Sequence, residues 1–171
     1  DDGRIVVIGG FDGKKACADI FCYDPAKRRW CRWQSLNKPR ALHKAILLHN
    51  GMILVVGGAG PDIPVKPGKK LLVQTEIVDP SSGKVLPGPP IHEPRIAPTA
   101  TLLKDGRVLI AGGCTIARKG HEELASCETY DPQTNKWETM SAMHYARCEH
   151  TATLLQAGRV LVTGGIYWPR E

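Results

Sequence analysis

The sequence predicts an all-β protein made of a repeated unit of four short strands. The first observation is a fixed spacing: an arginine stands 17 residues before a glycine pair at three places (40→57, 95→112 and 147→164). The second is an Asp-Pro dipeptide 33 residues before each of these pairs (24→57, 79→112 and 131→164). The third is that the apolar runs are short and bounded by turn residues, without a stretch of helical periodicity. A constant period of this kind indicates units that stack on one another.

The first part of the chain, residues 1–38, predicts three strands of a unit whose first strand is missing. The β-rich run 4–8 ends at a glycine pair. A polar loop follows at 11–18, and then a second strand at 19–23. Asp24-Pro25 ends this strand, because proline removes a ladder donor and aspartate favours a turn. The third strand is expected at 29–33.

Residues 39–90 predict the first whole unit. Its first two strands, 45–48 and 52–56, flank Asn50-Gly51, which is among the strongest hairpin signals. A proline-containing loop at 59–72 precedes the other two strands, at 73–78 and around 84–86. The proline-dense segment 87–90 makes this unit the most divergent one.

Residues 91–143 predict the clearest unit, and residues 144–171 predict two strands of a further one. The strands of the clear unit are expected at 99–103, 107–111, 127–130 and 136–140, and those of the partial unit at 150–155 and 159–163. The segment 114–126 is predicted to be a polar, mobile loop. The connection from each glycine pair to the next Asp-Pro changes length (9→24, 57→79 and 112→131), so the loops at 11–18, 59–72 and 114–126 tolerate insertion and are candidates for binding.

Four short strands repeating roughly every 50 residues are typical of the blades of a β-propeller. The glycine pairs, the segment Glu128-Thr129-Tyr130-Asp131-Pro132-Gln133-Thr134-Asn135-Lys136-Trp137, and the pattern Met143-x-x-x-Arg147 with His150 resemble the kelch repeat. The second of the three copies of this pattern departs from it at Val78, Val85 and Pro98. The resemblance implies a ring with more blades than the roughly three present here. We expect further blades or another chain to complete the ring, since a half-ring leaves sheet edges and an apolar blade face open.

The bulk composition narrows the possible partners. The formal net charge is +6, and residues 1–70 hold 13 Lys/Arg against 6 Asp/Glu. No apolar run is long enough to predict a transmembrane helix. The basic runs are not interleaved with aromatic residues, which argues against binding of single-stranded nucleic acid. The sequence has no Asn-x-Ser/Thr glycosylation site, which favours an intracellular location.

The six cysteines show no C-x-x-C spacing, so no zinc site of the common kind is predicted. Cys114 and Cys127 could face each other across a loop and form a disulfide. The alternative is that both remain separate thiols.

Arg40, Arg95 and Arg147 are the main candidates for partner binding. Each stands just before the first strand of a blade. In the Kelch-like adaptors of ubiquitin ligases, arginines at this place line a pocket and bind acidic side chains, so the resemblance implies that role here. The alternative is that each arginine pairs with a carbonyl or carboxylate of its own blade. Arg118, Lys119 and His121, in the loop 114–126, are further candidates for partner contact.

The sequence therefore predicts a protein-interaction module: a kelch propeller that presents variable loops and an arginine-lined face to a protein or peptide, with an acidic segment as a possible ligand. A flanking BTB domain would indicate a ubiquitin-ligase adaptor. The alternative is part of a kelch-type enzyme, such as a galactose-oxidase-like copper oxidase or a sialic-acid epimerase, with its active site mostly outside this segment. No catalytic residue, metal ligand or cofactor can be assigned from the sequence, and His43 and His150 are predicted to fill space within the blades.

Overall fold

The computed structural model describes residues 3–61, 71–117 and 120–167, and these form only β-strands, turns and loops. The all-β prediction is confirmed. The strands are β1 (Ile5–Phe11), β2 (Ala16–Asp24), β3 (Arg29–Arg32), β4 (Lys44–Leu47), β5 (Ile53–Val56), β6 (Glu76–Val78), β7 (Val85–Pro87), β8 (Thr99–Leu102), β9 (Val108–Ala111), β10 (Cys114–Ala117), β11 (Gly120–Glu123), β12 (Cys127–Asp131), β13 (Lys136–Met140), β14 (Thr151–Leu154) and β15 (Val160–Thr163). None of the described residues belongs to a helix that could cross a membrane.

The strands form antiparallel sheets that correspond to successive blades. Two blades are complete, with strand orders β4-β5-β6-β7 and β8-β9-β12-β13. The first blade contains β1-β2-β3, and the last contains β14-β15. A separate two-stranded sheet, β10-β11, lies in the connection between β9 and β12. The repeated four-stranded unit that the sequence predicts is therefore present.

Local sequence explains the tight turns between the strands. Gly51, Gly106 and Gly158 adopt φ angles of 81°, 88° and 79° in the turns that join the first two strands of their blades. Left-handed backbone of this kind favours glycine because a side chain would clash with the backbone. In the Asp-Pro turns the aspartate side chain accepts backbone N–H bonds, as Asp131 Oδ1 does from Gln133 N at 2.8 Å.

Two apolar clusters hold neighbouring blades together. Leu54 and Val56 of β5 belong to the cluster shared with the following blade, which includes Ile110 and Trp137. Val55, between them, belongs to the cluster shared with the first blade, which includes Ile20. Successive side chains of a strand point to opposite sheet faces, so the blade that contains β5 is covered on both faces. Burial between blades therefore stabilises the stack.

The outer faces of the first and last blades are less covered. Ile5 and Val7 of β1 are 56% and 46% exposed, and Leu161 of β15 is 48% exposed. Leu54 of β5 has no exposed surface. These two flanks have the apolar character of blade faces that pack on neighbours.

Two predicted loops contain more strand than expected. The predicted loop 11–18 is shorter, because β1 extends to Phe11 and β2 begins at Ala16. The segment 114–126 contains the hairpin β10–β11, in which Cys114 pairs with Glu123 and Ile116 pairs with His121. Its first residue is anchored by backbone bonds from Cys114 to Ile96, 2.8 Å in each direction. The sequence lacks an Asn-Gly or Asp-Gly turn in this segment, so it gave no local signal for a hairpin. Most of the predicted loop 59–72 lies outside the described residues.

Candidate functional site

The glycine pairs, the three arginines and the variable connections meet at one end of the blades, which we call the loop face. The strand registers show this, because Thr99, Ala111 and Cys127 lie side by side at the same end of one blade. The Asp-Pro turns lie at the opposite end. The chain therefore places the described ends of the predicted binding loops and the three predicted arginines at the same end of the blades.

Arg40 is fully buried and binds groups of its own blade. Its Nη1 donates to the carbonyl oxygens of Gly57 and Gln74, both at 3.1 Å. Its Nη2 donates to Glu76 Oε1 at 2.7 Å. Glu76 is only 3% exposed and also accepts the backbone N–H of Asn37 at 2.6 Å. Burial lowers the pKa of Arg40, and the Glu76 charge opposes that effect.

Arg95 repeats this arrangement one blade further along. Its Nη1 donates to Gly112 O at 2.8 Å and Ser126 O at 3.0 Å, and its Nη2 donates to Glu128 Oε1 at 3.0 Å. Its side chain has no exposed surface. The structure thus places Arg40 and Arg95 as the alternative interpretation describes, paired within their own blades. Neither guanidinium is positioned to bind a partner's carboxylate, because its own blade supplies one.

Arg147 makes the first of these bonds in the last blade. Its Nη1 donates to Gly164 O at 2.6 Å, which matches the first bond of Arg40 and Arg95. Its Nε is buried without a hydrogen-bond partner among the described residues.

The other predicted contact residues lie in or near the β10–β11 hairpin. His121 is exposed on β11 at the loop face. Arg118 and Lys119 lie outside the described residues. The sequence analysis did not single out Leu42 and Tyr145, which are 53% and 66% exposed at this face. The sequence signal that could have identified them is their position in the connections that lead into the first strands of their blades.

The residue two positions after each arginine has an unusual backbone conformation. Leu42, Ala97 and Glu149 have φ angles of 59°, 48° and 53°. A non-glycine residue in this region costs roughly 1–2 kcal/mol, and such strain clusters at functional positions. All three residues line a cavity of about 280 Å³, together with His121 and Glu123.

Two thiols and a carboxylate lie together in the wall of this cavity. The ligand atoms of Cys114, Cys148 and Glu123 are all within 4.8 Å of one another. Burial raises the pKa of Cys114, and its hydrogen bond with Cys148 raises it further. Cys114 and Cys127 are both free thiols, so the disulfide considered between them is absent. The near neighbour of Cys114 is Cys148, from the adjacent blade.

His43 and His150 begin first strands and are packed among protein groups. Burial, and secondarily the charge of Arg40, lowers the pKa of His43 to about 4. Burial also lowers the pKa of His150, whose Nε2 lies 3.1 Å from Thr99 Oγ1. Both rings are therefore neutral at physiological pH.

The family model of the Kelch motif matches residues 1–37 and 96–144, about half of the chain. The chain belongs to the kelch-repeat family. Kelch-like protein 26 from Danio rerio is 27% identical over 171 residues, which cover 98% of this chain and 26% of the relative. Beta-scruin from Limulus polyphemus is 26% identical over 168 residues, which cover 96% of this chain and 18% of that protein. This kelch chain thus spans about a quarter or less of the length of these relatives.

Solved structures support the same fold. The structure of YjhT matches 96% of this kelch chain and 56% of its own chain, with a TM-score of 0.79 and 18% identity. A fungal alcohol oxidase of the AA5 family, in complex with copper, matches 71% of this chain and 27% of its own, with a TM-score of 0.60 and 21% identity. At these identities the likeness shows the fold alone. The prediction of a partial kelch propeller is confirmed.

Proposed function

We propose that this kelch segment is a protein-interaction module that binds its partner through the loop face. Relatives named Kelch-like protein, beta-scruin and F-box/kelch-repeat protein support an interaction role. The observation that carries the choice of surface is the exposure of Leu42 and Tyr145 at the loop face, 53% and 66%. Exposed apolar and aromatic side chains surrounded by polar groups are typical of the anchoring residues of protein interfaces.

The polar groups around these anchors define the chemistry of the partner. Lys14 and Lys15 are exposed at the same face, where the Asp12 carboxylate accepts both of their backbone N–H groups at 2.8 Å. Cations of this kind select a segment that carries carboxylates, through charge complementarity. The proposed ligand is therefore a peptide segment with acidic and apolar side chains.

The proposal differs from the sequence prediction in the cations it uses. Arg40 and Arg95 stabilise the blades that form the face, and Lys14 and Lys15 contact the partner. A ubiquitin-ligase adaptor role is the specific form of this proposal if a BTB domain flanks the segment, as the resemblance to the Kelch-like adaptors implies.

Affinity capture from cells with the full-length protein tests the choice of surface. The test variant is Leu42→Asp with Tyr145→Asp, and the matched control is Leu86→Asp. Leu86 is 48% exposed on the outer strand β7, away from the loop face. We expect at least one partner, identified by mass spectrometry, to be lost with the double variant and kept with the control. Partners that persist with the double variant, or that are lost equally with Leu86→Asp, would contradict the proposal.

The acidic character of the partner is tested separately. A partner that depends on Leu42 and Tyr145 is titrated against the wild-type protein and against Lys14→Glu combined with Lys15→Glu. We expect weaker binding of the charge-reversed variant and a decrease of wild-type affinity with added salt. Equal affinities of the wild-type and charge-reversed proteins at low salt would contradict the acidic character of the partner. They would leave only the role of the apolar side chains in the proposal.

A further inference from the structure

The loop-face cavity contains a cluster of potential metal ligands. Cys114 and Glu123 are directly opposite each other in the β10–β11 hairpin, and Cys148 comes from the edge of the next blade. The two sulfur atoms and a carboxylate oxygen lie within 4.8 Å of one another. Both cysteines are buried, at 6% and 7% exposure, and Glu123 is half-buried. The cavity beside them also contains His121 and Glu149.

The preceding blades provide an internal comparison for this cluster. Leu72 and Leu124 make the same backbone bond, from their N–H to the carbonyl of the second glycine of their pair. The residues before them, Leu71 and Glu123, are therefore equivalent. In the same way Ala59 corresponds to Cys114, since each pairs with the residue after its own arginine, Ala41 or Ile96.

We call the contact between one blade and the next a junction. At each junction, the third position of the cluster is the residue after the arginine of the following blade. This residue is Ile96 at the earlier junction and Cys148 at the later one. The three positions hold only apolar residues at the earlier junction: Ala59, Leu71 and Ile96, each at most 7% exposed. At the junction before it, by register, they are Phe11, Ala16 and Ala41. Packing at this place thus needs no thiol and no carboxylate. At the third junction all three apolar residues are replaced by residues that bind metal ions.

The spacing of the three ligand atoms fits tetrahedral coordination. A metal–sulfur distance of about 2.3 Å places two thiolate sulfurs about 3.8 Å apart, and a carboxylate oxygen slightly closer. The observed upper limit of 4.8 Å for all three separations requires only small adjustments. Two thiolates and a carboxylate form the donor set that a borderline-soft divalent ion such as Zn²⁺ accepts.

We propose that Cys114, Cys148 and Glu123 bind a single zinc-type divalent ion, with its fourth coordination position open to the cavity beside His121. The ion would connect the β10–β11 hairpin to the adjacent blade through its ligands. It would thereby fix the orientation of the hairpin at the loop face. The site is independent of the proposed partner binding, since metal affinity can be measured without a partner.

Titration of the reduced, metal-free protein with Co²⁺ and then Zn²⁺ tests the proposal. Co²⁺ bound by two thiolates gives a sulfur-to-metal charge-transfer band, and its competition with Zn²⁺ gives the zinc affinity. We expect one ion per chain and a charge-transfer band that Zn²⁺ abolishes. Glu123→Gln should weaken zinc binding by at least about tenfold. Cys114→Ser and Cys148→Ser should each abolish the band.

The chain itself offers a matched control. The triple variant Cys114→Ala, Glu123→Leu and Cys148→Ile carries the residues of the preceding junction, so it should fold and bind no metal. Cys127→Ser replaces a buried thiol outside the cluster and should leave both the stoichiometry and the band unchanged. The proposal is overturned if the reduced wild-type protein shows no thiolate band, if the triple variant binds zinc as tightly as the wild type, or if Cys114 and Cys148 are joined in a disulfide in protein purified under reducing conditions.

Discussion

Removal of Glu128 should destabilise the protein more than removal of any exposed ionic partner. The Glu128 carboxylate is 2% exposed and accepts hydrogen bonds from Arg95 Nη2 at 3.0 Å, His92 N at 2.8 Å and Glu93 N at 3.2 Å. It also lies 2.8 Å from His92 Nδ1. Glu128→Ala removes the buried counter-charge of Arg95 and leaves only the partly exposed Glu93 carboxylate, 3.6 Å from Arg95 Nη2. Breaking a buried ion pair on one side costs about 3–5 kcal/mol. For a chain of this length that corresponds to a decrease of about 10 °C in Tm.

The assay is urea denaturation followed by tryptophan fluorescence, and a double-mutant cycle isolates the pair. Arg95→Met with Glu128→Leu removes both charges, so we expect it to be less destabilised than the sum of the Arg95→Met and Glu128→Leu single variants. It should not recover wild-type stability, because the carbonyls of Gly112 and Ser126 lose their donor. The matched control is Arg32→Ala, whose partner is Asp19; these side chains are 62% and 41% exposed, so little change is expected. Equal losses for Glu128→Ala and Arg32→Ala would refute the reasoning.

Three further outcomes follow from the same structure. His43 has a folded pKa of about 4 against 6.5 unfolded, so its contribution to stability is complete above pH 6.5 and is lost as the pH falls from there towards 4. Between pH 7.5 and pH 5 the wild-type protein should therefore lose about 2 kcal/mol of unfolding free energy. The His43→Gln variant should not show this loss. Gly112→Ala should lower the free energy of unfolding by more than about 3 kcal/mol, because the new Cβ would lie 2.5 Å from Arg147 O at a φ of +58°. Gly158→Ala has no atom within 4 Å of the new Cβ, so it should lower that free energy only by the backbone strain of about 1 kcal/mol. Similar urea midpoints for the two variants would contradict this. Trp137→Ala should lower the free energy of unfolding by about 3–5 kcal/mol, because the ring is 7% exposed. The matching Trp30→Ala should lower it much less, because that ring is 53% exposed. An equal loss of stability for both variants would show that packing between blades is not the cause.

The strands and tight turns were predictable because their signals are local. Asn50-Gly51 and Asp105-Gly106 specify hairpins by themselves, and the fixed spacings align the copies. The sequence left two roles open for Arg40 and Arg95, partner contact or pairing within their own blades, and it did not decide between them because arginine is rarely buried without a partner. The partners were nevertheless visible as glutamates at matching places in the repeat, Glu76 and Glu128.

The ligand cluster could not be found from sequence spacing. Cys114 and Glu123 meet through hairpin pairing, and Cys148 arrives from another blade, 34 residues further along the chain (114→148). Cysteine spacing reports sites built within one short segment, and this cluster depends on the contact between two blades. The signal that could have found it is the comparison of repeats, in which three apolar positions change together.

The buried arginines also explain how this architecture tolerates new sequence. Arg40 Nη1 joins Gly57 O to Gln74 O, and Arg95 Nη1 joins Gly112 O to Ser126 O, so each guanidinium ties together the two ends of a variable connection. Chain inserted between those ends can diverge while the strands on either side keep their register. These connections are therefore natural places for grafting foreign peptides, and selection for new ligands can act there with little consequence for folding.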